Sequence, residues 1–156
     1  MKRIALAFLI SLLLPCAALA AADTAIPTLD QAGLTGLLEK NKGKVVILNF
    51  FATWCPPCRV EIPELVKVRE AYPESELLLV GLSVDETSAP VVPFTKKAGV
   101  NYPVYMAAQD VTDAYRVTSV PHNAFFARDG HLVISEPGMA EAHVIRELVD
   151  DLLGKK

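Results

Sequence analysis

Apolar and polar positions along the chain fall into blocks with two different spacings. Val45 to Phe51 and Leu77 to Val84 are nearly continuous apolar runs, the form taken by strands covered on both faces of a sheet. Between them, Val60, Ile62, Leu65, Val66 and Val68 supply the buried side of a helix running to about Tyr72. Pro63 lies inside that helix and predicts a kink, because it lacks an amide hydrogen and its ring crowds the preceding turn. Upstream, Ala21 to Pro27 reads as an extended arm. Thr28-Leu29-Asp30-Gln31 has the form of a capping box with Thr28 as the cap. Leu29, Leu34, Leu37 and Leu38 then form an apolar stripe ending at Lys40, before a polar turn. Gly33 and Gly36 each weaken this helix by roughly 1 kcal/mol relative to alanine, so it must lean on a core.

Downstream, Pro90 to Ala98 predicts a helix with its prolines early, where they are least costly, and Gly99 stops it. Tyr102 to Met106 predicts a short strand, and Asp110 the cap of a short helix through Tyr115. Ala124 to Ala127 and Leu132 to Ser135 flank Arg128-Asp129-Gly130-His131, which reads as a hairpin turn. Glu141 to Leu153 predicts a terminal helix with Val144, Ile145, Leu148, Val149, Leu152 and Leu153 on its buried side. The helical crossover makes the first two long strands parallel neighbours, and the hairpin adds antiparallel edge strands. The pattern is that of one α/β domain, residues 23–156, with a mixed central sheet and helices on both faces.

The first 22 residues read differently. Lys2 and Arg3 precede a nearly unbroken apolar run from Ile4 to Leu14, and Ala18-Leu19-Ala20 and Ala20-Ala21-Ala22 are small-residue cleavage patterns. This is the form of a secretory signal peptide, and the apolar run is short for a membrane span. An uncleaved leader would instead anchor the chain. Cys16 follows Pro15, where a lipidation signal wants glycine or alanine, so lipidation is the less favoured reading. Cleavage near Ala22 leaves Cys55 and Cys58 in an oxidising compartment. One such pair is no disulfide scaffold, so its role is chemical. The net charge moves from −3 to −5 without Lys2 and Arg3. No basic cluster survives, which argues against a nucleic-acid partner.

The chemistry concentrates in Trp54-Cys55-Pro56-Pro57-Cys58, where a buried strand gives way to a helix. Two thiols at this spacing can close a small ring, and so alternate between dithiol and disulfide without rebuilding the fold. The positive end of the helix dipole favours a thiolate at Cys55, the expected attacking sulfur and the more exposed position. Cys58 is the expected buried resolving thiol. Pro56 and Pro57 have no amide hydrogens, so the donors available to a Cys55 thiolate narrow to Cys58 and beyond. A zinc half-site is the bland alternative, but zinc wants four ligands and the three histidines lack ligand-like spacing. No metal or other cofactor is expected. Glu61 lies three residues after Cys58 on the same helix face. Its carboxylate is either a base for the Cys58 proton or a first-turn charge complementing the dipole. On the preceding strand, six residues before Cys55, stands Asn49, which cannot take up a proton at ordinary pH.

With the Val120-Pro121 loop ahead of a terminal hairpin, these residues resemble the thioredoxin fold. More narrowly they are similar to the TlpA/ResA-like periplasmic thiol–disulfide oxidoreductases, which include cytochrome c maturation reductants. Phe51-Ala52-Thr53-Trp54, Arg59-Val60-Glu61-Ile62-Pro63-Glu64-Leu65 and the helix and strand from Val91 to Met106 carry that resemblance, the last as an extra insertion. The likeness covers about Thr28 to Leu153. It implies a cis peptide at Pro121, free backbone groups on Val120 for an extended substrate, and a Trp54 packed beside the dithiol. It also implies that Glu61 serves the active site. The chain departs from the family at His122-Asn123-Ala124, where Thr-Thr-Phe is common, and at Ala127. The substrate groove would then comprise Trp54, Pro56, Pro57, Val120, Pro121 and His122. A protonated His122 would favour the thiolate, although a surface histidine is the plainer reading. His131, His143 and Lys96-Lys97 read as solvated. The implied partners are disulfide-bearing or dithiol proteins, apocytochrome c among them, with a membrane thiol transporter as electron donor to a periplasmic monomer. A dithiol oxidase and a non-catalytic binding or chaperone module remain the alternatives.

Overall fold

The computed structural model describes residues 25–155. The leader expected at residues 1–22, Cys16 within it, and the start of the extended arm lie outside the described residues. Eleven elements follow in order among those described: β1 (Thr28–Leu29), α1 (Gln31–Lys40), β2 (Val45–Phe51), α2 (Pro56–Ala71), β3 (Leu77–Ser83), α3 (Val91–Ala98), β4 (Val104–Ala107), α4 (Gln109–Ala114), β5 (His122–Phe126), β6 (Leu132–Pro137) and α5 (Ala142–Leu153). The strands form one mixed sheet in the order β1-β4-β3-β2-β5-β6. β2 and β3 are parallel, as the crossover rule requires. β5 runs antiparallel to β2 and β6 antiparallel to β5. Only β6 is therefore an edge strand of the hairpin; β5 is interior.

β2 is buried at all seven positions, and its alternation divides the core in two. Val45 and Ile47 face one side, packed with Leu65 and Val68 of α2 and with Ile145 and Val149 of α5. Val46, Leu48 and Phe50 face the other, with Leu34 of α1 and Val111 of α4. A third cluster gathers Phe51, Ala52, Cys55, Cys58, Ile62 and Val91 at the end of β2. This cluster sets the thiol pair on a packed base rather than on a loose loop.

Several expectations are corrected. Thr28 does not cap α1: it pairs with Met106 as part of β1, and Asp30 is the cap, its Oδ1 accepting from the Gly33 amide at 2.8 Å. The start of the stretch read as a capping box thus becomes an edge strand, a long-range pairing that local sequence does not encode. Asp110 does not cap its own helix, where Ala108 holds that position; its Oδ2 accepts from the Gln31 amide at 3.1 Å and so serves α1. Val60 and Val144, placed on buried faces by their apolar character, are 60% and 49% exposed.

His122 is also corrected, since it is neither on the surface nor a charged neighbour of the thiols. It is 2% exposed. Its ring meets Phe50 edge-on at 5.6 Å on the α1/α4 side of the sheet, and its Nε2 lies 2.8 Å from Ser135 Oγ. As the first residue of an interior strand in register with Phe50, it is drawn into the core by pairing. Burial lowers its pKa from the usual 6.5, so it is neutral.

Two outcomes follow from this packing. A methyl group added at Gly81 would sit 3.2 Å from Phe51, 3.2 Å from Val104 and 3.3 Å from Tyr102. Gly81→Ala is expected to lose about 1–3 kcal/mol, the usual cost of overpacking, read as a lower urea midpoint. For His122, the unfolded chain binds a proton more readily than the folded one. Stability from this group is therefore complete above pH 6.5 and is lost as pH falls through and below that value. Urea titrations at several pH values should show the advantage of wild type over His122→Gln shrinking on acidification; a constant difference would contradict a buried neutral imidazole.

Candidate active site

The site is built at the junction of β2 and α2. Cys55 is itself the cap of α2, its Sγ accepting from the Cys58 amide at 3.2 Å. Pro56 and Pro57 fill the first helical positions, where a missing amide hydrogen costs nothing to the helix. Cys55 and Cys58 form a disulfide with an S–S distance of 2.10 Å and Cα atoms 5.3 Å apart. In this oxidised state both sulfurs are covered, Cys55 at 2% exposed and Cys58 at 0%, so Cys55 is only marginally the more exposed of the two. Trp54 is 65% exposed, so it is not a core aromatic.

The approach to Cys55 is held by polar contacts that sequence reading missed. Asp85, at the end of β3, accepts from the Thr53 amide at 2.9 Å, from Thr53 Oγ1 at 2.7 Å and from Ser83 Oγ at 2.8 Å. Arg59 Nε donates to the Thr53 carbonyl at 2.8 Å. The residue preceding Trp54 is therefore fixed from both the strand and the helix side. Asp85 and Thr53 look like ordinary turn residues in sequence, and only the sheet brings them together.

Across the sulfurs lies the Val120–Pro121 peptide, which is cis. The Val120 carbonyl oxygen is 3.5 Å from Cys55 Sγ. Trp54, Val84, Thr112, Val117, Thr118 and Val120 line an open groove of about 270 Å³ beside this peptide. Pro56 and Pro57 are exposed next to it. The structure thus brings Trp54, Pro56, Pro57, Val120 and Pro121 around the disulfide, while the covered His122 side chain turns to the Phe50 side.

Three residues after Cys58, about one turn further along α2, Glu61 is 1% exposed. It is not a solvent-facing first-turn charge. Its Oε2 accepts from Asn49 Nδ2 at 2.8 Å, and its Oε1 accepts from Asn123 Nδ2 and from the Ala140 amide, each at 2.8 Å. Burial raises its pKa above the usual 4.5, and the three hydrogen bonds oppose that rise. The balance leaves a carboxylate more basic than an exposed one. The Tyr102 hydroxyl is buried without a partner; burial and then the charge of Glu61 push its pKa upward, so it stays a neutral phenol. Asn123 and the Ala140 amide were not identified from sequence. The available signal was an asparagine immediately before the apolar run Ala124-Phe125-Phe126, since a buried polar side chain needs partners. Among the described residues no group of side chains could hold a metal ion, and no helix is long and apolar enough to cross a membrane.

Comparison with known proteins agrees with this geometry. Residues 18–138 match the AhpC/TSA family. A thiol-disulfide oxidoreductase ResA of Bacillus subtilis (strain 168) is 32% identical over 122 residues, 78% of this chain and 68% of that protein. Another ResA, from Bacillus thuringiensis (strain Al Hakam), is 34% identical over 105 residues; the match spans 67% of this chain and about three fifths (61%) of that relative. Among solved structures, a thioredoxin-family thiol:disulfide interchange protein from Chlorobium tepidum TLS superposes with a TM-score of 0.69 at 33% identity, covering 74% of this chain and 84% of that one. With its mixed sheet, its cysteine pair at the β2–α2 junction and relatives of this kind, the chain belongs to the AhpC/TSA family of thioredoxin-fold proteins and is ResA-like within it.

Proposed function

We propose that this protein is a thiol–disulfide oxidoreductase that reduces disulfides in partner proteins, with apocytochrome c among the candidate substrates. The observation that carries the reading is the Cys55–Cys58 disulfide seated on the mouth of α2 with a buried, basic Glu61 one turn below. In the reduced protein the Cys55 thiolate attacks a partner disulfide. A Cys55–partner bond forms, the partner's own S–S bond breaks, and its second sulfur leaves as a thiolate that takes a proton from water. Cys58 then gives its proton to Glu61 and attacks Cys55 Sγ, which breaks the Cys55–partner bond and releases the partner's remaining sulfur as a thiolate that takes a proton from water. The partner gains two electrons and the protein ends as the disulfide.

The surroundings support these roles. The Val120 carbonyl and the groove beside Trp54 offer an extended partner segment a backbone acceptor and an apolar floor next to Cys55. The Cys58 amide is the one donor the prolines leave to Cys55 at the first turn. A thiolate with few donors is poorly stabilised, which favours a reductant over an oxidant. The leader at residues 1–22 would deliver the domain of residues 23–156 as a monomer to the periplasm, where a membrane thiol transporter would recharge it.

Two measurements test the proposal. Insulin reduction should proceed with the wild-type protein and fall to background in Cys55→Ala; equal background rates in both would favour a binding module. Glu61→Gln should slow reductive turnover by about 10²-fold or more, the typical worth of a positioned acid–base group, and should shift the cysteine titration. The potential of the Cys55–Cys58 couple in glutathione buffers fixes direction. A strongly negative value is expected, and a value near that of strong oxidants would reverse it.

A further inference from the structure

Glu61, Asn49 and Asn123 form a closed ring of hydrogen bonds spanning three elements. Asn49 of β2 and Asn123 of β5 are register partners and share the face covered by α2. Asn49 Nδ2 donates to Glu61 Oε2 and also to Asn123 Oδ1, each at 2.8 Å. Asn123 Nδ2 closes the ring on Glu61 Oε1 at 2.8 Å, with a longer 3.4 Å contact to the Gly138 carbonyl. Asn49 and Asn123 are 0% and 3% exposed. Among the described residues the Asn49 Oδ1 has no partner.

That orphan oxygen shows which end of the amide is being used. A side-chain amide has a donor end and an acceptor end of nearly the same shape, so something must choose which end faces Glu61. For Asn49 the choice is made from two sides: Glu61 Oε2 and Asn123 Oδ1 both accept, and together they turn the Asn49 Nδ2 inward. Asn123 thereby supplies one donor to Glu61 directly and helps to hold a second through Asn49. Each contact of the ring is consistent with an ionised carboxylate. Turning either amide over would set two oxygens or two N–H groups against each other.

We infer that Asn123 is a positioning residue for the proposed chemistry, holding Glu61 as an oriented carboxylate ready to take the Cys58 proton. It rests on the reading of Glu61 given above. Losing Asn123 removes one donor and one of the two acceptors that hold the Asn49 amide in place. Both changes disfavour the anion, so the carboxyl group would titrate at higher pH and in a less defined orientation.

The test isolates the resolving step. The reduced protein is loaded at Cys55 as a mixed disulfide with thionitrobenzoate, and release of the coloured thiolate by Cys58 is followed against pH. Asn123→Val should slow release by about tenfold and move the acid inflection up by about one pH unit, the scale of one charged hydrogen bond. Asn123→Thr, whose hydroxyl restores a donor, should recover part of both. In the Glu61→Gln background Asn123→Val should change the rate by less than about twofold, since a residue acting through Glu61 has nothing left to position. Equal losses in the two backgrounds, or an unmoved inflection, would overturn the inference while leaving the role of Glu61 intact. If Glu61→Gln alone leaves rate and inflection unchanged, the reading of Glu61 fails first and the inference falls with it. The carboxyl ¹³C titration of Glu61 in the oxidised protein probes the same coupling without turnover: a midpoint raised in Asn123→Val supports the role, and an unchanged one refutes it.

Discussion

A carboxylate with 1% of its surface exposed has to find its hydrogen-bond donors inside the protein. For Glu61 those donors come from β2, from β5 and from the loop that enters α5. The same three connections fix α2 over the sheet. The helix that carries the thiols cannot shift along β2 without unpairing a buried charge, which would cost several kcal/mol. The geometry of the Cys55–Cys58 pair therefore rests on a polar anchor as well as on the apolar contacts of Ile62, Leu65 and Val68.

The two faces of the sheet hold opposite electrostatic solutions. On the α2/α5 face, burial raises the pKa of Glu61 while the donors around it oppose that rise. On the α1/α4 face, His122 has no compensating carboxylate and burial drives it neutral. These groups are neighbours along the chain of contacts, since His122 immediately precedes Asn123 in β5. Strand alternation sends the first to one face and the second to the other. Only the Glu61 side combines a titratable group with the sulfurs, and the proposed proton transfer uses that side alone.

The region around the sulfurs is stiff where chemistry needs alignment and open where a partner must enter. Thr53 is tied to Asp85 and Arg59, and Cys55 caps its own helix. Trp54, by contrast, stands largely in solvent beside the groove at Val120. An exposed indole next to a backbone acceptor offers a partner apolar area and a hydrogen bond without local rearrangement.

Much of this was legible in the sequence. The continuous apolar runs of β2 and β3, the cysteines at a strand-to-helix junction and the resemblance to thioredoxin-fold proteins give the architecture and the thiol pair. They do so because periodicity and a short-range ring closure are local properties. Glu61 could be singled out by its spacing from Cys58, but spacing left open whether it faced solvent or core. Tertiary structure decided that, together with the inward turn of His122, the pairing of Thr28 with Met106, and the service of Asp110 to α1 rather than to its own helix. It also assembled the Asn49–Asn123–Glu61 ring, whose members lie 12 to 74 residues apart in sequence. Burial and the partners of a polar group depend on which distant elements pack over it, and no local pattern of residues encodes that.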